Sequence, residues 1–145
     1  MPTSAQILGP VVGLNLWTLF VEGWMYSNRI PAVNDKSKFK MELTPDMTLE
    51  KFNSALPPKV RWKGDNFNNL LQQPLQFYAI MLVLAQLGTG TQTDVNLAWG
   101  YVGIRVVHSL WQCLSNRLMA RFGLFVSSSA VLAVITVRTA ARVFV

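Results

Sequence analysis

The chain has 145 residues, and its composition and charge exclude most classes of soluble protein. Hydrophobic residues make up 51% of the sequence and charged residues only 14%, whereas a soluble domain usually carries about 25% charged residues. Of the 20 charged residues, 13 lie in the segment 29–65. The long apolar remainder excludes a disordered chain and a soluble globular domain. Basic residues confined to such a segment are typical of membrane loops, so the net charge of +6 does not indicate nucleic-acid binding.

The two residue types that most often build covalent or metal sites are almost missing. Cys113 is the single cysteine, which excludes a disulfide framework and a cysteine-rich metal site within the chain. His108 is the single histidine, which excludes a multi-histidine metal site or a bis-histidine haem. We therefore expect no resident metal.

Four apolar stretches, taken in chain order, predict an all-α integral membrane protein built as a four-helix bundle. The predicted helices cover about residues 5–27, 66–88, 94–116 and 120–143, and a helix of about 20 residues spans the hydrocarbon core. A polar segment, 28–64, contains four prolines and is expected to be a loop. The chain thus forms a single membrane domain. Glu22 interrupts the first stretch and no basic residues precede it, which favours a retained helix over a cleaved signal peptide.

The loop charges predict the orientation of the chain in the membrane. The first connection carries eight basic residues, the third carries Arg117 and Arg121, and the second carries none. Because cytoplasmic loops are enriched in lysine and arginine, both termini are expected on the non-cytoplasmic side, although Arg138 and Arg142 oppose this orientation. Without a cleavable signal or a retention tail, a bacterial inner membrane is favoured over the endoplasmic reticulum.

Polar residues recur at helical spacing in three of the predicted helices. They are Asn15, Thr18 and Glu22 in the first helix, Asn66, Asn69, Gln72, Gln73 and Gln76 in the second, and Arg105, His108, Gln112 and Asn116 in the third. A charge near the bilayer centre costs roughly 2.5–3.5 kcal/mol, so an ion pair between Glu22 and Arg105 is one expected solution. Polar rows also join helices structurally, but the cationic third row favours a pocket for an anion.

The segment Asn66-Phe-Asn-Asn69-Leu-Leu-Gln72-Gln-Pro74, with Arg105-Val-Val-His108, Asn116-Arg117 and Arg121, resembles the MAPEG family, and its bacterial branch most. These are membrane-associated proteins in eicosanoid and glutathione metabolism. The resemblance implies a homotrimer surrounded by membrane lipids, with glutathione as co-substrate between subunits and a lipophilic small molecule as second substrate. It also implies that Arg121 is the catalytic residue, which stabilises the thiolate. The implied glutathione-binding residues are Asn69, Gln72, Arg105, His108, Gln112 and Arg117.

Several positions depart from the pattern of the family. Gln72 stands where the family typically has glutamate, and Gln112 where well-studied members have tyrosine. Asp65 and Asn68 replace basic residues, and Phe122 replaces a small hydroxyl residue. The leading interpretation is a glutathione transferase or peroxidase. The alternatives are a non-catalytic scaffold, a lipid-binding trimer and an accessory subunit of a larger membrane complex; no nucleic-acid partner is expected.

Overall fold

The structure, a computed structural model, describes all residues from Met1 to Val145 and is built from helices alone. Helices make up 81% of the chain, and there are no strands. In chain order they are α1 (Ser4–Asn34), α2 (Leu49–Ala55), α3 (Pro58–Gln72), α4 (Pro74–Leu87), α5 (Gln92–Leu114) and α6 (Leu118–Phe144). Gln73 joins α3 to α4 in a helical conformation, so these two helices form one rod of 30 residues.

Three rods are long and apolar enough to cross a membrane. They are α1, the α3–α4 rod and α6, which confirms the prediction of an all-α membrane protein. Helix α5 has 23 residues, which is long enough, but its buried polar row lowers its mean hydropathy. A membrane crossing by α5 therefore remains a prediction, as does the closed four-helix bundle.

The predicted loop 28–64 differs from the structure, because most of it is helical. Helix α1 continues to Asn34, and α2 and the first turns of α3 occupy much of the remainder. Pro58 is the first residue of α3, a position where the missing N–H breaks no helical hydrogen bond. Thr48 starts α2 by accepting a hydrogen bond from the backbone of Lys51. Pro58 begins a helix and Pro31 lies inside α1, whereas the prolines are expected from the sequence to interrupt helices.

The main core lies where α1, the α3–α4 rod and α5 meet, with α6 completing it from one side. Helix α1 packs against α3, α4 and α5, whereas α6 packs against α5 and α4. The core contains Leu14, Phe77, Tyr101 and Ile135, none of which has any exposed surface. The rings of Phe77 and Tyr101 stack with centroids 4.4 Å apart, close to the lower limit of about 4.5 Å for favourable aromatic pairs. This packing fixes the α3–α4 rod against α5.

The two ends of the bundle differ in their polar contacts. We call the end that holds residues 30–64 and the α5–α6 turn the loop end, and the other the terminal end. At the loop end, Arg29 of α1 donates from Nη2 to Asn53 Oδ1 of α2 at 2.9 Å. The same Nη2 atom would lie 2.6 Å from a Cβ placed at Gly64 of α3. Glycine at this position therefore leaves room for the Arg29 guanidinium against α3.

At the terminal end, a carboxylate with almost no exposed surface joins α5 to α6. Asp94 accepts from Arg138 Nε at 2.7 Å and from Arg142 Nη2 at 2.8 Å, and its side chain is 1% exposed. It also accepts from the backbone N–H of Thr91 at 2.8 Å. Because the two arginines share this carboxylate, the cluster carries a net charge of only +1.

We expect Asp94→Asn to lower the stability of the protein. The variant leaves two arginines without a counter-charge, and the loss should be roughly 2 kcal/mol, because one broken buried ion pair is costly but both arginines are part-exposed. Unfolding in detergent, followed by circular dichroism, measures the difference. Glu42→Gln is the matched control, since Glu42 is exposed. Equal unfolding midpoints for the two variants would contradict the role assigned to Asp94.

Candidate functional site

A small pocket in the half of the molecule nearer the loop end brings three of the predicted site residues together. It measures about 150 Å³ and is lined by Asn69, His108, Leu118, Arg121, Phe122 and Phe125. These residues come from α3, α5 and α6, so the pocket forms only where the three helices meet. Asn69, His108 and Arg121 supply its polar groups, and the other three supply an apolar wall. A ligand with one polar and one apolar part fits this lining.

Behind the pocket, Arg105 is held by Asn69. The guanidinium donates from Nη2 to Asn69 Oδ1 at 2.7 Å and to the carbonyl oxygen of Asn69 at 3.0 Å. Arg105 has no exposed surface, and its guanidinium carbon lies 5.9 Å from the ring centroid of Phe125. The predicted site residue Arg105 thus orients Asn69 from behind the wall, and contributes a positive charge close to the pocket.

The predicted ion pair between Glu22 and Arg105 is wrong. Glu22 is half-buried and belongs to none of the ion pairs in the chain. Asn69 offers Arg105 two oxygens within hydrogen-bond distance, and these take the place expected for the carboxylate. The buried charge of Arg105 is therefore hydrogen-bonded but not neutralised within the chain.

The turn between α5 and α6 positions Arg121. Asn116 adopts a left-handed backbone conformation, with φ of 50°, and its N–H donates to the carbonyl of Trp111 at 2.8 Å. Asparagine tolerates this conformation better than most residues. The Asn116 side chain then accepts from Arg121 Nη1 at 2.8 Å. Arg121 also lies near the amino end of α6, whose partial positive charge adds to its own.

The other predicted site residues lie outside the pocket. Gln72 and Arg117 are exposed, and neither lines the pocket. Gln112 is buried, with 3% of its surface exposed, but it too does not line the pocket. The roles implied for these three residues stay predictions.

Sequence reasoning missed two residues of the apolar wall. Leu118 and Phe125 line the pocket, and Phe125 also lies against His108, with ring centroids 6.4 Å apart. Phe125 follows Arg121 by four residues, so helical spacing would have placed both on one face of α6. Phe122, which the sequence marked only as a departure from the family, forms part of the same wall.

The electrostatics of the pocket favour an anion. Arg121 lines it, Arg105 lies behind it, and none of the residues around it is acidic. A guanidinium in a low-dielectric site binds carboxylates and thiolates strongly. The pocket can therefore hold an anionic group beside an apolar surface.

Comparison with known proteins identifies the family of the chain. The sequence model of the MAPEG family matches residues 7–141 of the chain, so the protein belongs to the MAPEG family. No curated protein and no solved structure gives a significant match. Membership in the family, together with the three apolar rods, supports a membrane protein.

Substitutions at Asn116 should separate its backbone role from its side-chain role. Asn116→Ala is expected to destabilise the protein by about 1 kcal/mol, because alanine disfavours the left-handed conformation. Asn116→Gly should keep the stability, since glycine adopts this conformation freely. Thermal unfolding in detergent compares the two variants. Equal stability of both would show that the conformation of residue 116 is not under strain.

Proposed function

We propose that the protein is a glutathione-dependent enzyme of the MAPEG type, which transfers glutathione to a lipophilic substrate or uses it to reduce a lipophilic peroxide. The observation that carries this proposal is the convergence of Asn69, His108 and Arg121 on a pocket without a carboxylate. An anion would balance the positive charge of Arg121 in this pocket. Glutathione offers two carboxylates and an ionisable thiol, and the MAPEG family is generally associated with it.

The chemistry needs a stabilised thiolate. A free thiol has a pKa of about 8.5 and is mostly protonated at neutral pH. Lowering that pKa by about 1.5–2 units requires roughly 2–3 kcal/mol of preferential stabilisation of the thiolate. One guanidinium in a water-poor site supplies an effect of this size. Arg121, at the lining of the pocket, is the residue assigned to this role.

The remaining residues would bind and orient glutathione. Asn69 is fixed by Arg105 and presents its side-chain amide at the pocket. The positive charge of Arg105 would attract a carboxylate. Gln72 offers an amide where the family typically has glutamate, so it would accept a hydrogen bond from the amino group of glutathione without neutralising its charge. We therefore expect weaker recognition of that amino group.

The pocket of a single chain is too small for a tripeptide, which supports assembly into a homotrimer. Ligand pockets usually measure about 300–1,000 Å³, whereas this one measures about 150 Å³. Gln72 and Gln76 are exposed on the membrane-spanning α3–α4 rod. Exposed amides are unfavourable in lipid and join helices well. A neighbouring subunit against this face would cover the amides and enlarge the site.

The loop charges support an orientation with the loop end in the cytoplasm and both termini on the other side. The first and third connections together carry ten basic residues, against only Arg138 and Arg142 near the C-terminus. Glutathione would then enter from the cytoplasm and the lipophilic substrate from the membrane. We propose a bacterial inner membrane as the location.

A groove on the outer surface favours a second candidate function, that of a lipid-binding trimer without catalysis. The groove measures about 730 Å³ and lies between α1 and α5. Trp17, Phe20, Trp24 and Leu110 are among its predominantly apolar lining residues. An acyl chain fits such a surface. A scaffold or an accessory subunit of a larger membrane complex would use the same feature, and Gln72 and Gln112 are compatible with lost chemistry.

The glutathione proposal predicts a thiolate that depends on Arg121. Titration of the purified trimer with glutathione should give saturable ultraviolet thiolate absorbance at neutral pH. In Arg121→Ala, the pH midpoint of thiolate formation should rise by about 1–2 units, because the favourable charge is gone. Arg61→Ala is the matched control, since Arg61 lies at the loop end and outside the pocket.

The two candidate functions give different outcomes in this titration. No thiolate at millimolar glutathione, with an intact oligomer, would rule out the enzyme and leave the lipid-binding trimer. A thiolate that persists in Arg121→Ala would keep the enzyme but remove Arg121 from the catalytic role.

A further inference from the structure

Buried polar atoms without a hydrogen-bond partner are concentrated between α3 and α5. The chain contains eight such side-chain atoms, and five of them lie in this region. They are Arg105 Nε, Arg105 Nη1, His108 Nδ1, Gln112 Oε1 and Asn66 Oδ1. The four residues concerned are at most 3% exposed. We call this row the polar seam; Ser109, which accepts from Asn66 Nδ2, belongs to it.

The energetics require partners for these atoms. An unsatisfied buried donor or acceptor costs about 1–3 kcal/mol, so five would cost roughly 5–15 kcal/mol, as much as the stability of a whole domain. The seam offers both N–H donors at Arg105 and carbonyl acceptors at Asn66 and Gln112. Water satisfies such mixed sets, since each molecule both donates and accepts.

The seam includes a pocket residue and continues along α5 towards the loop end. His108 belongs to both, because its ring lines the pocket while its Nδ1 atom is buried without a partner. From Arg105 to Gln112 the seam extends roughly 10 Å along α5. Lys63 of α3, which is 7% exposed, lies close enough to Cys113, the neighbour of Gln112, for its charge to act on that thiol. It donates to the carbonyl of Lys59 at 2.9 Å. Lys63 thus places a polar group on α3 near this part of the seam.

We propose that the polar seam holds a file of internal water molecules and that His108 passes the thiol proton of glutathione into it. This step rests on the proposed function, whereas the hydration of the seam does not. Ionisation of the thiol breaks its S–H bond, and the proton binds one nitrogen of His108. The imidazolium releases the proton on its other nitrogen to water, so that a thiolate and a hydrated proton result. Arg105 and Arg121 repel the imidazolium and favour this release.

The seam also supplies the proton acceptor that the pocket lacks. No carboxylate lines the pocket, and the residues at positions 72 and 112 are glutamines, which do not titrate. His108 is therefore the one pocket residue with a basic nitrogen, and its imidazole carries the proton only on the way to water. The imidazole can pass the proton on only if a second acceptor lies beyond it. Water bound at Asn66 and Gln112 is that acceptor.

Hydroxyl-radical footprinting of the oligomer in detergent tests the hydration directly. Short X-ray pulses oxidise side chains beside bound water, including buried ones. Cys113 is 2% exposed and lies beside Asn66, whereas Met81 is 0% exposed in the apolar core. After each rate is divided by its rate in the denatured chain, Cys113 should be oxidised several-fold faster than Met81. Equal normalised rates would overturn the proposed water file.

Rapid mixing with glutathione tests the proton path. Asn66→Leu removes the polar groups of this residue from the seam and keeps a side chain branched at the γ carbon. Thiolate formation should therefore slow at least about tenfold while its final amplitude stays the same. Gln86→Leu is the matched control, because Gln86 is exposed on α4 away from the seam. An unchanged rate in folded Asn66→Leu would overturn the proton path.

The two proposals fail in different ways. No thiolate in the unaltered protein would refute the glutathione function, and footprinting would still decide whether the seam is hydrated. A normal thiolate together with a dry seam would leave the enzyme in place and remove the relay. If Asn66→Leu does not fold, Ser109→Ala replaces it, with a slower rate expected and an unchanged rate counting against the path.

Discussion

The burial of Arg105 without a carboxylate partner is the constraint on which the rest of the site depends. Its guanidinium has no exposed surface, and its hydrogen bonds go to the two oxygens of Asn69. These bonds hold α3 against α5 and fix one wall of the pocket. They leave the charge itself unbalanced, and a buried charge without a counter-charge is strongly unfavourable. The anion that balances it has to come from outside the chain.

Buried or part-buried arginines occur both at the terminal end and around the pocket, but the groups that they bind differ. At the terminal end, Asp94 binds Arg138 and Arg142, and this buried carboxylate joins α5 to α6 as a closed structural contact. Around the pocket, Arg105 and Arg121 meet only amide oxygens of asparagine residues. An amide oxygen orients a guanidinium but does not neutralise it. The first cluster therefore serves stability, and the second retains its attraction for an anion.

Much of the fold could be predicted from the sequence, because apolar helices and polar rows follow directly from composition and spacing. The row at Arg105, His108 and Gln112 is buried on one face of α5, as its spacing indicated. The helical part of the loop was missed, because a proline is compatible both with the start of a helix and with its interruption. Pro58 begins one. The partner of Arg105 was also missed. Spacing within one helix shows which face is buried, but not which group on a neighbouring helix lies opposite.

The residues that the structure leaves outside the pocket indicate how the site is completed. Gln72 and Arg117 are exposed, and both lie towards the same end of the bundle as the pocket. If a single chain formed the whole site, these residues would have to turn inward, against the packing of α3 and the tight turn at Asn116. If a second copy covers the exposed amide face of the α3–α4 rod, they would lie at the boundary between subunits. Assembly would then bury the polar face and build the ligand site in the same step, which couples the stability of the oligomer to its function.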